Sequence, residues 1–536
     1  MLIIANGTIV DGTGSESFPG DVVVDGDRIA DIVRGGAATR GDIEVIDARG
    51  CLVTPGFVDS HAHSDAYLVL EPDAPSKLAQ GVTTEVNGQC GGSAAPRYGE
   101  ARLSSDWASL LGERLTWRSF AEYRAAVESA KPAINTAVFV GHNTLRSSAM
   151  GYVARPAEPD ELKRMQRLLE ESLDAGAWGL TTGLIYQPGR YSTNEEVVAL
   201  AKAAAAKGGF YATHMRSEGD QILEAIEEVI DLVKASGIRA EISHLKTSGE
   251  RNWHKIDAVL GRIDRAVADG LLLGSDRYPF CAAGTDLDIV LPDWAQEGAA
   301  PAEMARLADP EARTRIVAEL DASPRDWSQV MIGGAWHPET RALCGRTIAD
   351  ILAANHEPRI TNHEPRTTNH ETPGSLVCRI LELDRCRTGA FFFGMSEENL
   401  DRIYAMPWVV PGSDASLRAP WGPLGEDHPH PRAYGTMPEF FRRTTNASLP
   451  NALTPEAAVA RMTSVIAKRF DIKDRGVLEK GAYADIAVWN SESFSNTATY
   501  DNSHSFCTGM EKVFVNGTLA YDGGTFTHSG TGRFLD

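Results

Sequence analysis

The chain has 536 residues, 43% of them apolar and 23% charged, with a formal net charge of −21. This is the composition of a soluble globular protein too long for one compact core, since single cores stop growing near about 300 residues. The acidic balance argues against nucleic acid and anionic membrane surfaces as partners and leaves the substrate open.

The chain starts MLIIANGTIVDGTG, without the basic segment, apolar core and cleavage site of a signal peptide, and no apolar run approaches the ~18 residues of a membrane span. Seven thinly spread cysteines do not form a disulfide framework, so a functional cysteine is expected to be a ligand or a buried filler, and the protein is expected to be cytoplasmic.

Residues 1–54 alternate apolar and polar positions between glycine turns (MLIIANGTIV, DVVVDGDRIADIV), the period of half-buried strands. From about Pro55 the pattern changes to strand followed by amphipathic helix. Strand candidates are FVDSHAH, TTEVNGQC, TAVFVGHN, WGLTTGL, FYATHMR, AEISHLK, LLLGSDRYPF, FFFG and WVVPGSD. Between them lie helical segments closed by glycine, such as ELKRMQRLLEESLDAG and DQILEAIEEVIDLVKASG. This alternation predicts a parallel sheet, and a (β/α)8 TIM-like barrel over residues 55–474. Nine candidates exceed eight, so FFFG is assigned to an insertion at around 280–400, where the beat is irregular. The final stretch, 475–536, returns to period 2 (GVLEKGAYADIAVWN, KVFVNGTLAYDGGTFT), which predicts one small β-sandwich built from both termini. Inside the insertion, NHEPRIT-NHEPRTT-NHETPGS spaces His356, His363 and His370 by seven. A His-rich tract can bind metal, but each proline interrupts the helix that would align the rings, and a duplicated surface loop is the favoured reading.

The chemistry gathers at strand ends. His61 and His63 follow FVDS, Cys90 ends TTEVNGQC, His214 ends FYAT, His244 ends AEIS and Asp414 ends VVPGS. In a (β/α)8 barrel these ends converge on one face, where barrel active sites lie. Thiolate and imidazole are strong zinc ligands, and catalytic zinc keeps three protein ligands and one open position. Zinc brings the pKa of its water to about 7 and polarises a carbonyl, which together permit amide hydrolysis, with a nearby carboxylate to carry the proton. Singly, a cysteine is more often a buried filler and a strand-end histidine a structural residue; six together are hard to dismiss. Gly274-Ser275-Asp276 duplicates Gly412-Ser413-Asp414, and residue pattern alone does not choose between the two aspartates.

PGFVDSHAHSD and GVTTEVNGQCGGSAAP, with GHNTLR, PGRYSTNEEV, YATHMRSEGD, ISHLK, FFFGMSEENL, VVPGSDAS, HPRAYGTMPEF and ADIAVWN, resemble the D-aminoacylase (N-acyl-D-amino-acid deacylase) group of the amidohydrolase superfamily. The likeness runs nearly end to end and lapses around 352–378. It implies hydrolysis of N-acyl-D-amino acids by a metal-bound hydroxide. One zinc would be held tightly by Cys90, His214 and His244, and a second, weaker one by His61 and His63 with Cys90 and Asp414 shared. Cys90 stands where many relatives use a carboxylated lysine on the fourth strand, and WGLTTGLIYQPG has no lysine at its end. Asp414 would be the general base and acid, and Asp276, on strand seven, would not. Lys246, Tyr186 and Tyr278 would reach the substrate carboxylate, with Arg216 a further candidate, although a surface salt bridge suits Arg216 equally. His142 would stand behind the ligands. The rivals are a hydantoinase- or dihydroorotase-like cyclic-amide hydrolase, which wants the lysine, and a non-catalytic barrel, which should have lost ligands.

Overall fold

The computed structural model describes residues 1–36, 43–103, 105–356 and 371–536. The eight barrel strands are, in chain order, Phe57–Asp59, Val82–Asn87, Asn135–Val138 continued by Val140–Gly141, Gly179–Gly183, Phe210–His214, Arg239–Ile242, Leu273–Arg277 and Val409–Pro411. Neighbours pair in parallel, the first three in one sheet and Val140–Gly141 to Val409–Pro411 in another. The third strand belongs to both sheets. A parallel bridge between Ala62 and Ala415, with Asp414 N donating to His61 O at 2.8 Å, joins the last strand to the first and closes the ring. Val82–Asn87 and Phe210–His214 are buried at every residue, as expected of strands covered on both faces.

The surrounding helices carry the caps their sequences announce. Helix Pro159–Asp174 opens with proline in its first turn and a reciprocal Glu158–Glu161 capping box, and helix Ile222–Ser236 stops at Gly237, whose φ of 68° suits a residue without Cβ.

FFFG falls outside the barrel. Gly389–Phe393 pairs antiparallel with Ala282–Asp286 and Val330–Ile332, over a separate core that includes Leu287, Ile332, Leu376 and Leu381. The two chain ends share one nine-stranded sheet, in which Leu52–Pro55 lies between Leu2–Ile9 and Ile486–Trp489. Ile4, Val22, Val53, Ile486 and Phe514 fill its core. In the NHEPR repeat, His356 closes helix Ile348–His356, while His363 and His370 lie outside the described residues. Among the described residues no helix is long and apolar enough to cross a membrane.

Candidate metal centre and active site

All six strand-end residues reach one face of the barrel, and the local backbone explains how. His214 is the last residue of its strand, whereas Cys90, His244 and Asp414 lie just beyond theirs and turn with φ of 54°, 38° and 49°. Left-handed backbone costs a non-glycine residue about 1–3 kcal/mol and clusters at functional sites. Here it bends each side chain off the strand direction toward the barrel axis. Glycines make room for the Cys90 turn: a Cβ on Gly91 would lie 2.4 Å from Gly183 N, and one on Gly183 would lie 2.1 Å from Cys90 O. The turn therefore rests directly on the end of the fourth strand.

The donor atoms converge. His61, Cys90, His244 and Asp414 each offer an atom within 4.8 Å of the others, and His214, Glu218 and His244 form a second such group. Cys90 Sγ is 3.4 Å from His61 Nε2 and 3.3 Å from His244 Nε2. His63 Nε2 joins at 3.3 Å from His61 Nε2 and 3.0 Å from Asp414 Oδ1. The grouping differs from the expected division, in that His244 is the residue common to both sets and Glu218 enters beside His214. Behind the cluster, Asp276 Oδ2 lies 3.1 Å from His61 Nδ1, and its Oδ1 accepts from His244 N at 2.9 Å.

The electrostatics favour a cation. Burial alone would raise the Cys90 pKa, yet the His61 and His244 imidazoles pull it well below the usual thiol value. Burial likewise opposes ionisation of Asp414 and Glu218. Arg432 and His244 lower Asp414 nonetheless, and Lys246 with His214 and His244 lowers Glu218. Burial and Lys246 depress His244, but Asp414, Glu218 and Cys90 lift it to about 10. Three buried anions thus favour the protonated forms of His61, His63 and His244, a demand that a divalent ion meets better. Both ring nitrogens of His214 are buried without a hydrogen-bond partner among the described residues, as suits a ligand. A thiolate, imidazoles and carboxylates make a donor set suited to zinc.

The cluster opens into a cavity of ≈ 1820 Å³ whose walls include Tyr186, Lys246, Tyr278 and Arg432. Lys246 Nζ is bonded to Glu218 and lies 2.8 Å from His244 Nδ1. Tyr186 packs edge-on against His214, with ring centroids 4.8 Å apart. The Tyr278 hydroxyl is buried and has no hydrogen-bond partner among the described residues. Two expected residues are not brought to the cluster. Arg216 points to Glu228 at 2.9 Å and to the carbonyls of Arg190 and Ser192, because its side chain lies over helix Ile222–Ser236. His142 gives its hydrogen bond to Glu196, 2.8 Å away, in a buried pairing with Arg146. Sequence reasoning passed over Glu218 and Arg432. Glu218 follows His214 by four residues, and Arg432 sits in the quoted HPRAYG. Arg432 Nη1 donates to Asp414 Oδ2 at 2.7 Å.

A family model described as "Amidohydrolase family" matches residues 44–521. The chain is 33% identical to an N-acyl-D-glutamate deacylase of Alcaligenes xylosoxydans xylosoxydans, covering 100% of this chain and 96% of the relative. It is 32% identical to a D-aminoacylase of the same organism, covering 100% and 97%. Among solved structures, the N-acyl-D-glutamate deacylase of Bordetella bronchiseptica, complexed with zinc and a phosphonate mimic of the tetrahedral intermediate, superposes with a TM-score of 0.79. It shares 31% identity over 100% of this chain and 99% of that one. With strand-end donors, barrel and terminal sheet all in place, the chain belongs to the amidohydrolase family, in its D-aminoacylase group.

Proposed function

We propose that the protein hydrolyses the amide bond of N-acyl-D-amino acids, releasing a carboxylate and a free D-amino acid. The observation that carries this reading is the Cys90–His61–His244–Asp414 cluster at the mouth of a barrel whose fourth strand, Gly179–Gly183, ends without lysine. Full-length similarity to D-acyl-amino-acid deacylases supports it. Cys90, His214 and His244 are assigned to a tightly held Zn2+, and His61 and His63, with Cys90 and Asp414, to a weaker second ion. Zinc at these donors supplies Lewis acidity to the scissile carbonyl and acidifies water.

The chain's own residues do the rest. Asp414 accepts the proton of the attacking water at Oδ1 and returns it to the leaving nitrogen. Arg432 holds the other oxygen of Asp414 and keeps the carboxylate ionised. Lys246, bonded to Glu218, and Tyr278, whose hydroxyl has no partner among the described residues, face the cavity and are assigned to the substrate carboxylate, with Tyr186 packed beside His214. Arg216 has no part in this assignment. All seven cysteines are free, which fits a reducing compartment, and we place the protein in the cytoplasm.

A panel of N-acetyl-D- and N-acetyl-L-amino acids, with amine release measured before and after chelation, tests the reading. Release from D substrates only, lost on chelation and restored by zinc, is expected. Release from L substrates, or opening of a hydantoin or dihydropyrimidine ring in its place, would overturn it.

A further inference from the structure

The barrel is weakest where it closes. The first and last strands are three residues each and share no ladder of their own among the described residues, whereas strands four and five pair over five residues. The seam nevertheless carries His61 and His63 on one side and Asp414 on the other. Backbone contacts across it are few: the Ala62–Ala415 bridge, Asp414 N to His61 O, and His63 N to Ala415 O at 3.3 Å.

A lysine fills the gap. Lys77, on the short helix Pro75–Leu78, is completely buried. Its Nζ is 2.8 Å from Asp59 Oδ2 on the first strand, 2.9 Å from Glu85 Oε1 on the second, 3.0 Å from Ser413 Oγ and 3.1 Å from Ala415 O beyond the eighth. Asp59 extends the link: its Oδ1 accepts from His61 N at 3.3 Å and from Ser413 N at 2.8 Å. The last two acceptors of Lys77 flank Asp414, and Asp59 precedes His61 by two residues. One ammonium thus ties the paired first and second strands, at the Asp59–Glu85 register position, to the segment beyond the eighth, across the seam where the first and last strands share no ladder among the described residues.

Burying an ammonium with two carboxylates is costly, and an apolar replacement of similar volume commonly stabilises a fold at least as well. Stability alone is therefore a poor reason for this arrangement. We infer that Lys77 is a positioning residue, holding the His61–His63 arm and Asp414 at their working separation across the seam. The inference rests on the proposed deacylase reading for its kinetic consequence, though not for its effect on metal binding.

The test is Lys77→Met combined with Glu85→Gln, which leaves the net charge of the buried group unchanged. The control is Arg475→Met with Asp485→Asn, a buried pair in the terminal domain with side chains only 2% and 3% exposed. Circular dichroism, zinc titration of the metal-free chain, kcat and KM are measured on both variants and on the parent. Displaced second-layer contacts typically weaken metal sites by about 10–100-fold, and a small misplacement of a reacting group can cost about 10²-fold in rate. The Lys77 variant is expected to loosen its weaker zinc equivalent by at least about tenfold and to lose kcat by at least about tenfold, with KM within about threefold, whereas the control only melts earlier. A zinc titration identical to the parent's overturns the inference whatever the turnover. So does a KM that rises in step with the loss of kcat, or the same zinc loss in the control. A parent inactive on the substrate panel overturns the deacylase reading alone. If the double variant does not fold, Ser413→Ala removes one Lys77 contact without stranding a charge, and an unchanged zinc titration there is equally fatal.

Discussion

The molecule contains the tripeptide Gly-Ser-Asp twice at barrel strand ends and uses it in two ways. Asp276 lies within its strand, Leu273–Arg277, and is 1% exposed, with one oxygen on His61 Nδ1 and the other on His244 N. Asp414 lies beyond its strand with a φ of 49°, lines the cavity and meets His63, His61 and Arg432. Both touch His61, from opposite sides of the ring. Asp276 holds Nδ1 and so presents Nε2 to the cluster, where Asp414 stands 3.3 Å away. Three residues past the end of a strand, rather than the tripeptide itself, separate an orienting carboxylate from one that can reach a substrate.

Substitutions can break or sharpen this comparison. The largest effect belongs to the residues assigned to the tight zinc: Cys90→Ala or His214→Ala is expected to abolish that zinc and reduce turnover to background, while His61→Ala keeps one zinc per chain, as metal analysis will show. Zinc retained in full by Cys90→Ala would remove the assignment. Asp276→Asn should be milder. The amide can still accept from His244 N but no longer stabilises the His61 N–H as a carboxylate does, so kcat should fall about tenfold, the lower range for loss of an outer-layer contact. Smallest of all is Arg216→Met. Its guanidinium serves Glu228, a half-buried partner outside the cluster, so the cost falls on local packing, and KM on the best D substrate should move by less than about twofold. A tenfold rise in KM would return Arg216 to the substrate.

Much of the site was legible because its candidate ligands follow apolar runs. A histidine or aspartate directly after FYAT, AEIS or VVPGS, or a cysteine directly after TTEVNGQ, is a strand-end residue in any barrel, and strand ends meet. Assignment of FFFG to an insertion followed from counting, since eight strands close a barrel and nine do not. What escaped is what depends on long-range partners. Nothing in the sequence singles out Lys77, and only the fold shows it touching Ser413, 336 positions away in sequence. Arg432 stands 18 residues from Asp414 across a loop, and no periodicity ties them. Arg216 had two readings on sequence, substrate contact and salt bridge, and the packing of helix Ile222–Ser236 supplied the partner for the second. The order of the nine-stranded terminal sheet was also out of reach, because period-2 patterning marks strands without naming their neighbours.

The most direct test sets Asp414→Asn beside Asp276→Asn, in steady-state kinetics on an N-acetyl-D-amino acid with zinc content checked in each. The isosteric amide keeps the volume of Asp414 but cannot take the proton of water. Asp414→Asn should therefore retain the tight zinc, hold KM nearly constant and lose the ~10²–10⁴ in kcat credited to general acid–base catalysis, well beyond the loss in Asp276→Asn. Near-normal turnover in Asp414→Asn alongside an inactive Asp276→Asn would contradict the account and move the proton to the other aspartate.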